Sequence, residues 1–314
     1  MRAKIPLIVI AGPTAVGKTS LSIHLAKALK GEIVNSDSMQ IYRHLNIGTA
    51  TPTIAEQDMA PHHLLNFQPV DEPYSVAEFK QDATKVIEDI YAQQHVPIVV
   101  GGTGLYLQAL LYDFSLGERE EHPHFRTAMS EIAETQGNEV LHHWLELVDA
   151  TSAANIHHNN VRRVIRALEV ATYTDHLLSD QTEDQTRHSS LYDPFVIILN
   201  TERALLYERI NQRVDLMMTE GLLDEAEWLY HQDLPEQAAA SQAIGYKEFF
   251  PYFRGKQTLD ECIEQLKQSS RRYAKRQLTW LRNRMPEGES FDLVTHPEQI
   301  ETIEERVRLF LRER

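Results

Sequence analysis

The stretch that most constrains this chain is residues 12–19, which match the pattern G-x-x-x-x-G-K-[ST] at every fixed position. It comprises Gly12, Pro13, Thr14, Ala15, Val16, Gly17, Lys18 and Thr19. An apolar run, 5–11, precedes it and an amphipathic segment, 20–29, follows, which predicts strand, glycine-rich loop and helix. Backbone N–H groups of such a loop, together with the helix N-terminus, bind an anionic phosphate. We therefore predict a phosphate or diphosphate site; the alternative is a turn that binds nothing.

Two side chains of this loop carry specific chemistry. Lys18 adds a positive charge beside the phosphates, and the Thr19 hydroxyl is a candidate ligand for Mg²⁺. The loop alone is typical of nucleotide-binding proteins, including ATPases, kinases and other transferases.

Further strands and helices alternate along the first third of the chain. Residues 32–36 and 96–100 are short apolar strands, and 195–199 returns as another after a long helical stretch. This alternation predicts an α/β fold with a P-loop NTPase-like parallel sheet covered by helices. Asp37 follows the second strand, so we expect it at the same sheet edge as the phosphate loop.

The strand at 96–100 ends in Gly101-Gly102-Thr103-Gly104 and carries no acid. Kinases with this loop usually place an Asp at the end of a later strand to hold Mg²⁺. The glycines favour a close approach of backbone and ligand, or else a tight turn only. Asp37 is then the nearest acid, and it is a Mg²⁺ partner, a general base or a helix cap.

Between residues 115 and 193 the pattern is helical and charged, without a convincing strand. We predict a catalytic core of residues 1–114 and 194–314, interrupted by a helical insertion at 115–193. A long basic helix, 259–284, and an edge strand at 291–294 complete the core.

The net charge of −15 argues mildly against a nucleic-acid partner, yet basic residues cluster locally. Seven basic residues and no acid lie between positions 267 and 284, and Arg162, Arg163 and Arg166 form a second cluster. The alternative is that both clusters are solvated helix faces. The single Cys262 suits a reducing cytoplasm, and no apolar run approaches the length of a membrane span, so we expect a cytoplasmic protein.

Eight motifs occur in an order that resembles the tRNA dimethylallyltransferase (tRNA isopentenyltransferase, or IPP transferase) family. They are the phosphate loop, Asp37–Tyr42, Ile47–Ala50, Pro61–His63, Gly101–Leu107, Arg162–Val170, Ala243–Glu248 and Ala274–Trp280. The resemblance covers nearly the whole chain.

This resemblance implies transfer of a dimethylallyl group from dimethylallyl diphosphate to the exocyclic amine of the adenosine 3′-adjacent to the tRNA anticodon, with Mg²⁺ as cofactor. Asp37 corresponds to the base, Thr19 to a catalytic metal ligand, and Arg213 to an arginine that helps bind the diphosphate. From sequence alone, Arg213 is equally a surface residue in a helical ion pair.

By the same resemblance, the insertion and the basic helix grip the anticodon stem-loop of a tRNA. The implied tRNA-binding residues are Asp37, Ser38, Met39, Gln40, Thr103, Arg126, Arg162, Arg163, Arg166, Gln242, Gly245, Tyr246, Lys247, Lys275, Arg276 and Gln277. We expect a monomer. A small-molecule or nucleotide kinase on the same loop, a nucleotide-switched RNA-binding protein and a prenyltransferase of free adenine nucleotides are the alternatives.

Overall fold

A parallel sheet forms the centre of the chain in a computed structural model that describes residues 4–112, 122–180, 192–285 and 287–314. Its strands are β1 (Pro6–Ala11), β2 (Gly31–Asn35), β3 (His62–His63), β4 (Val96–Gly101), β5 (Asp193–Leu199) and β6 (Glu289–Phe291). Among the described residues the strand order is β3-β2-β4-β1-β5-β6, and every neighbouring pair is parallel. The predicted α/β fold with a P-loop-like core is confirmed.

Strand β1 lies in the middle of this sheet, between β4 and β5. Its residues 7–10 are apolar and fully buried, as expected for a strand covered by helices on both faces. Ala11 pairs with Gly101 at the carboxyl end of β4, so the phosphate loop and the glycine-rich turn leave the sheet side by side.

Helices α1–α4 belong to the first half of the chain and α5–α8 to the region predicted as an insertion; α9–α13 follow β5. The bounds are α1 (Lys18–Leu29), α2 (Ile54–Gln57), α3 (Val76–Ala92), α4 (Gly104–Leu111), α5 (Pro123–Gln136), α6 (Asn138–Val148), α7 (Ala150–Asn155), α8 (Val161–Tyr173), α9 (Arg203–Thr219), α10 (Leu222–Tyr230), α11 (Phe250–Phe253), α12 (Leu259–Arg284) and α13 (Gln299–Arg312). Ser75 caps α3 through a capping box with Glu78, as its position before an apolar pattern predicts.

The chain divides into two compact units, residues 1–111 with 191–314 and residues 112–190. Within the second unit, α5–α8 enclose a small core that includes Leu141, Leu145, Val164 and Leu168. The polar stretch 179–190, predicted as a loop, lies outside the described residues from position 181 onward. In the parts of the chain that the structure describes, no helix is long and apolar enough to cross a membrane.

The long helix α12 packs along α9 inside the first unit. Lys267 on α12 forms an ion pair of 2.8 Å with Asp215 on α9, and the Arg271 Nη1 donates to the Asn211 Oδ1 at 2.5 Å. A capping box at Thr258 and Glu261 begins α12. These contacts hold the basic helix against α9.

Candidate active site

The phosphate loop leaves β1 at Gly12 and enters α1 at Lys18. Gly17, the N-cap of α1, has a φ of 95°, a left-handed backbone that favours glycine. Gly12 lies against the end of β5, where an added Cβ would stand 2.5 Å from the Leu199 carbonyl oxygen. Both glycine positions of the motif therefore have a local physical cause: Gly17 permits the turn and Gly12 the close approach of two strands.

Lys18 points back over its own loop. Its Nζ donates to the Gly12 carbonyl at 3.0 Å and to the Pro13 carbonyl at 2.6 Å. Burial lowers the pKa of Lys18 to about 8, although the negative charge of Asp37 partly opposes that change. The ammonium group is thus held at the loop while its charge remains incompletely neutralised.

Asp37 lies just beyond the carboxyl end of β2. The Asn35 side chain holds the turn, because its Oδ1 accepts from the Asp37 N–H at 3.0 Å and its Nδ2 donates to the Leu64 carbonyl at 3.0 Å. The Asp37 Oδ1 accepts from the Met39 N–H at 2.9 Å. Burial raises the pKa of the Asp37 carboxyl, and the Met39 N–H and the Lys18 charge only partly offset this rise.

The turn after β4 touches the Asp37 loop directly. The Ser38 N–H donates to the Thr103 Oγ1 at 3.1 Å, and Gly101 has no room for a side chain because Ser36 fills that space. The glycine-rich turn therefore carries Thr103 to the loop that holds Asp37, and a contact of Thr103 with tRNA stays a prediction.

Two arginines of α9 reach the phosphate loop. The Arg213 Nη1 donates to the Thr14 Oγ1 at 3.0 Å, and the Arg209 Nε donates to the Ala15 carbonyl at 2.9 Å. Burial lowers the pKa of Arg213, while the charge of Asp37 opposes that change. These contacts place Arg213 beside the phosphate loop, and its role in binding the diphosphate stays a prediction.

A cavity of about 800 Å³ joins these groups. The predicted residues that line it are Thr14, Ala15, Gly17, Lys18, Thr19, Asp37, Ser38, Met39, Gln40, Arg213, Gln242, Gly245, Lys247, Arg276 and Gln277. Apolar side chains of α9, including Ile210, Val214 and Met217, form another part of its wall. The cavity thus combines a cationic end, a carboxylate and an apolar surface.

Known proteins resemble the chain along its length. The sequence model of the IPP transferase family matches residues 40–284. The chain belongs to the IPP transferase family. It is 50% identical over 310 residues to a protein from Enterococcus faecalis named tRNA dimethylallyltransferase, covering 98% of both chains. The family predicted from the motifs is confirmed.

Solved structures of this family have the same fold. The full-length tRNA isopentenylpyrophosphate transferase of Bacillus halodurans is 43% identical with a TM-score of 0.74, and the match covers 99% of this chain and 98% of that one. A eukaryotic dimethylallyltransferase, described as acting on tRNA, is 35% identical with a TM-score of 0.74 over 88% of this chain and 70% of that one.

Two family motifs that were predicted to contact tRNA contain buried side chains. Tyr246 is 0% exposed, and its hydroxyl donates to the Glu225 Oε1 at 2.7 Å. Gln277 on α12 is also buried, and its Nε2 donates to the Gly102 carbonyl at 3.0 Å. Tyr246 thus supports the wall of the site, Gln277 lines the cavity while it holds the glycine-rich turn, and a direct contact of either with RNA stays a prediction.

The exposed face of α12 differs from its buried face. Lys275 and Arg276 are exposed, and they line a second hollow of about 560 Å³ together with Trp280. Gly104 lies under Trp280 with no space for a side chain. Lys275 and Arg276 therefore face outward beside an aromatic ring.

The four predicted arginines of the second unit have two different environments. Glu169, only 1% exposed, accepts from the Arg126 Nε at 2.8 Å and from the Arg166 Nη1 at 2.7 Å. Arg162 and Arg163 on the same helix as Arg166 are exposed. Of the four, Arg162 and Arg163 are exposed, while Arg126 and Arg166 are partly buried and paired with Glu169.

Sequence reasoning missed three groups at or near the cavity. Arg209 contacts the phosphate loop, Glu225 on α10 holds a loop of the cavity wall, and Tyr273 on α12 lines the cavity near Asp37. Burial raises the pKa of Tyr273, and the charge of Asp37 adds to this rise. One signal was available for Tyr273, since it stands four residues before Gln277 and therefore on the same helix face.

Proposed function

We propose that this chain transfers a dimethylallyl group from dimethylallyl diphosphate to the exocyclic amine of the adenosine 3′-adjacent to the tRNA anticodon and releases diphosphate. The observation that carries the proposal is the cavity in which the phosphate loop, Arg213 and Asp37 meet. The relatives named tRNA dimethylallyltransferase, at about half identity over nearly the whole chain, support it.

The cationic end of the cavity suits the leaving group. In the reaction the allylic C–O bond breaks and its electron pair departs with the diphosphate, whose negative charge develops in the transition state. Loop N–H groups, Lys18 and Arg213 stabilise that charge more in the transition state than in the ground state. The apolar side chains of α9 in the same wall offer a surface for the hydrocarbon part.

Asp37 suits the other half of the reaction. The adenine amine is a weak nucleophile because its lone pair is delocalised into the ring. As its nitrogen bonds to the allylic carbon, it must lose a proton, and Asp37 accepts that proton as a general base. The raised pKa of the Asp37 carboxyl makes it a stronger base than an ordinary aspartate.

The residues present are compatible with Mg²⁺, which prefers oxygen ligands and usually keeps substrate phosphates and waters in its shell. The Thr19 hydroxyl and the Asp37 carboxylate line the cavity together. Within the described residues, no group of three or more His, Cys, Asp or Glu side chains could hold a metal by itself. When bound, Mg²⁺ would neutralise charge on the diphosphate, with Thr19 as its protein ligand.

The target base of a folded RNA must leave its stack to enter such a cavity. Exposed Lys275 and Arg276 in the first unit, and Arg162 and Arg163 in the second, suit contacts with RNA phosphates. They provide local positive charge in a chain whose net charge is −15.

The test is to incubate the protein with unmodified tRNA, Mg²⁺ and dimethylallyl diphosphate, and to analyse the digested nucleosides by mass. We expect a prenylated adenosine from wild type and a strongly reduced yield from Lys18→Ala. No prenylated adenosine from folded wild-type protein would refute the proposal. Phosphoryl transfer from ATP would instead support a kinase, the alternative that the names of the relatives do not favour.

A further inference from the structure

Glu225, on α10, holds a loop that forms part of the cavity wall. Residues 46–50 form this loop, the 46–50 loop. Three successive backbone N–H groups of Asn46, Ile47 and Gly48 donate to the Glu225 carboxylate at 2.9 to 3.1 Å. One carboxylate thus satisfies a run of backbone donors from a segment 177 to 179 residues away in sequence.

Tyr246 contacts both the Glu225 carboxylate and the 46–50 loop. Its hydroxyl donates to the Glu225 Oε1 at 2.7 Å, and its ring occupies the space where Gly48 would otherwise carry a Cβ, 2.6 Å from the ring carbon Cζ. Gly245 also packs on Gly48, where an added Cβ at Gly245 would stand 3.2 Å from the Gly48 Cα. The Glu225 carboxylate accepts from four donors, which leaves the 46–50 loop little freedom to shift.

The far end of the loop holds Gln40. The Gln40 Nε2 donates to the carbonyls of Thr49 and Ala50, both at 3.2 Å. Two carbonyl oxygens can accept only from the NH₂ end of the amide, so they fix which way the amide faces. Among the hydrogen bonds of the described residues, none uses the Gln40 Oε1, and Gln40 lines the cavity.

We propose that Glu225 is a positioning residue, which acts through the 46–50 loop so that Gln40 offers RNA a hydrogen-bond acceptor and no donor. The complementary group is an N–H donor at a base edge, such as an exocyclic amine. A base edge that presents a carbonyl oxygen there would meet another acceptor. This inference rests on the proposed function, because it assumes that RNA enters the cavity.

A double-mutant cycle between Glu225→Gln and Gln40→Met tests this coupling. A glutamine at position 225 has one acceptor oxygen for four donors, so it loosens the loop at nearly constant volume. We expect E225Q to lower kcat/KM for tRNA about tenfold in the wild-type background but less than about twofold in the Q40M background. The KM for dimethylallyl diphosphate should stay within about twofold throughout, because the phosphate loop is untouched.

The matched control is Glu227→Gln, which makes the same change on the same helix at an exposed position paired only with His231 among the described residues. It should leave kcat/KM unchanged. An equal loss from E225Q in both backgrounds would mean that Glu225 acts through stability alone, and it would overturn the inference. If E225Q does not fold, E225D takes its place in the same cycle. If wild type forms no prenylated adenosine, the proposed function fails rather than this coupling.

Discussion

Two clusters of charged residues in this molecule have similar compositions. They differ in whether the neighbouring cations donate hydrogen bonds to the carboxylate. In the first unit the charges of Lys18 and Arg213 act on Asp37, while in the second Glu169 is bonded to Arg126 and Arg166. Each has one carboxylate and two cations. In the second cluster, both arginines donate to the carboxylate at 2.7 to 2.9 Å.

The pKa directions express that difference. Burial raises the pKa of Asp37, and the charges of Lys18 and Arg213 offset that rise only in part. Burial acts on Glu169 in the same direction, but hydrogen bonds from Arg126 and Arg166 outweigh it and lower the pKa of Glu169. A cluster whose hydrogen bonds are complete stabilises the fold, whereas one that is left incomplete is available to a ligand.

The largest effect should come from removing the incomplete carboxylate. Asp37→Asn preserves its shape but cannot accept the proton, so we expect kcat to fall by about 10² to 10⁴. Binding of tRNA, measured by filter retention or fluorescence, should change far less. Asp58→Asn at the end of α2 is the control. Unchanged turnover in D37N would exclude Asp37 as the base. The Asp37 and Glu169 clusters would then differ only in the environment of their carboxylates.

Arg162 and Arg163 on α8 are exposed, whereas Arg166 on the same helix is paired with Glu169. Reversing both, in Arg162→Glu with Arg163→Glu, should weaken tRNA binding at least about tenfold, because fewer RNA phosphates are then neutralised. The log–log slope of affinity against salt should flatten by about 0.7 to 0.9 for each such phosphate. Titration at several salt concentrations measures both quantities, with K80E/K85E on α3 as the control. If affinity and slope both match wild type, Arg162 and Arg163 are a solvated face.

Breaking the completed cluster should affect stability rather than chemistry. Glu169→Gln leaves two half-exposed arginines without a full charge partner, so we expect a loss of about 1–3 kcal/mol in unfolding free energy by denaturant titration. The exposed Glu146→Gln in the same unit should stay within about 0.5 kcal/mol. Because the folded pKa of Glu169 is lowered, its contribution is present above the ordinary pKa of about 4.3 and disappears as pH falls through the folded pKa. An E169Q protein as stable as wild type would contradict the structural role.

The smallest effect is a displacement of the pH profile. In the proposed mechanism Asp37 acts deprotonated and Lys18 acts protonated, so kcat/KM should fall on the acid side above the ordinary aspartate range and on the basic side near pH 8. The charge of Arg213 lowers both pKa values, so Arg213→Gln should move both limbs upward. In Arg209→Gln the limbs should stay in place, since Arg209 donates to the Ala15 carbonyl and the arginine whose charge lowers both pKa values is Arg213. Fixed limbs in R213Q would show that its charge does not reach the two groups.

Much of the site could be predicted because its signals are local in sequence. The phosphate loop is continuous, and Asp37 follows a short apolar strand, so parallel topology alone brings them to one edge. The long basic helix was predicted at the bounds that α12 has in the structure, Leu259–Arg284. Strand β3 was missed, since two residues carry no periodicity.

The remaining features depend on contacts between distant segments. Arg209 donates to a carbonyl 194 residues away, and Glu225 binds a loop nearly as far. Nothing near either residue distinguishes it from an ordinary helix surface charge. Likewise, Tyr246 stands in a motif expected to contact RNA, and only the packing on Gly48 shows that its side chain is fully buried.

Gly102 and Gly104 leave room for two side chains of the basic helix, Gln277 and Trp280. A methyl group at Gly102 would overlap the Gln277 amide, and one at Gly104 would overlap the Trp280 ring. The distance between the Trp280 ring and this edge of the sheet therefore depends on the missing side chain of Gly104 and not on any charged residue. Alanine at position 104 would leave the charges, the phosphate loop and Asp37 unchanged, yet the Trp280 ring would have to move away from the sheet, whereas alanine at position 102 would displace the Gln277 amide.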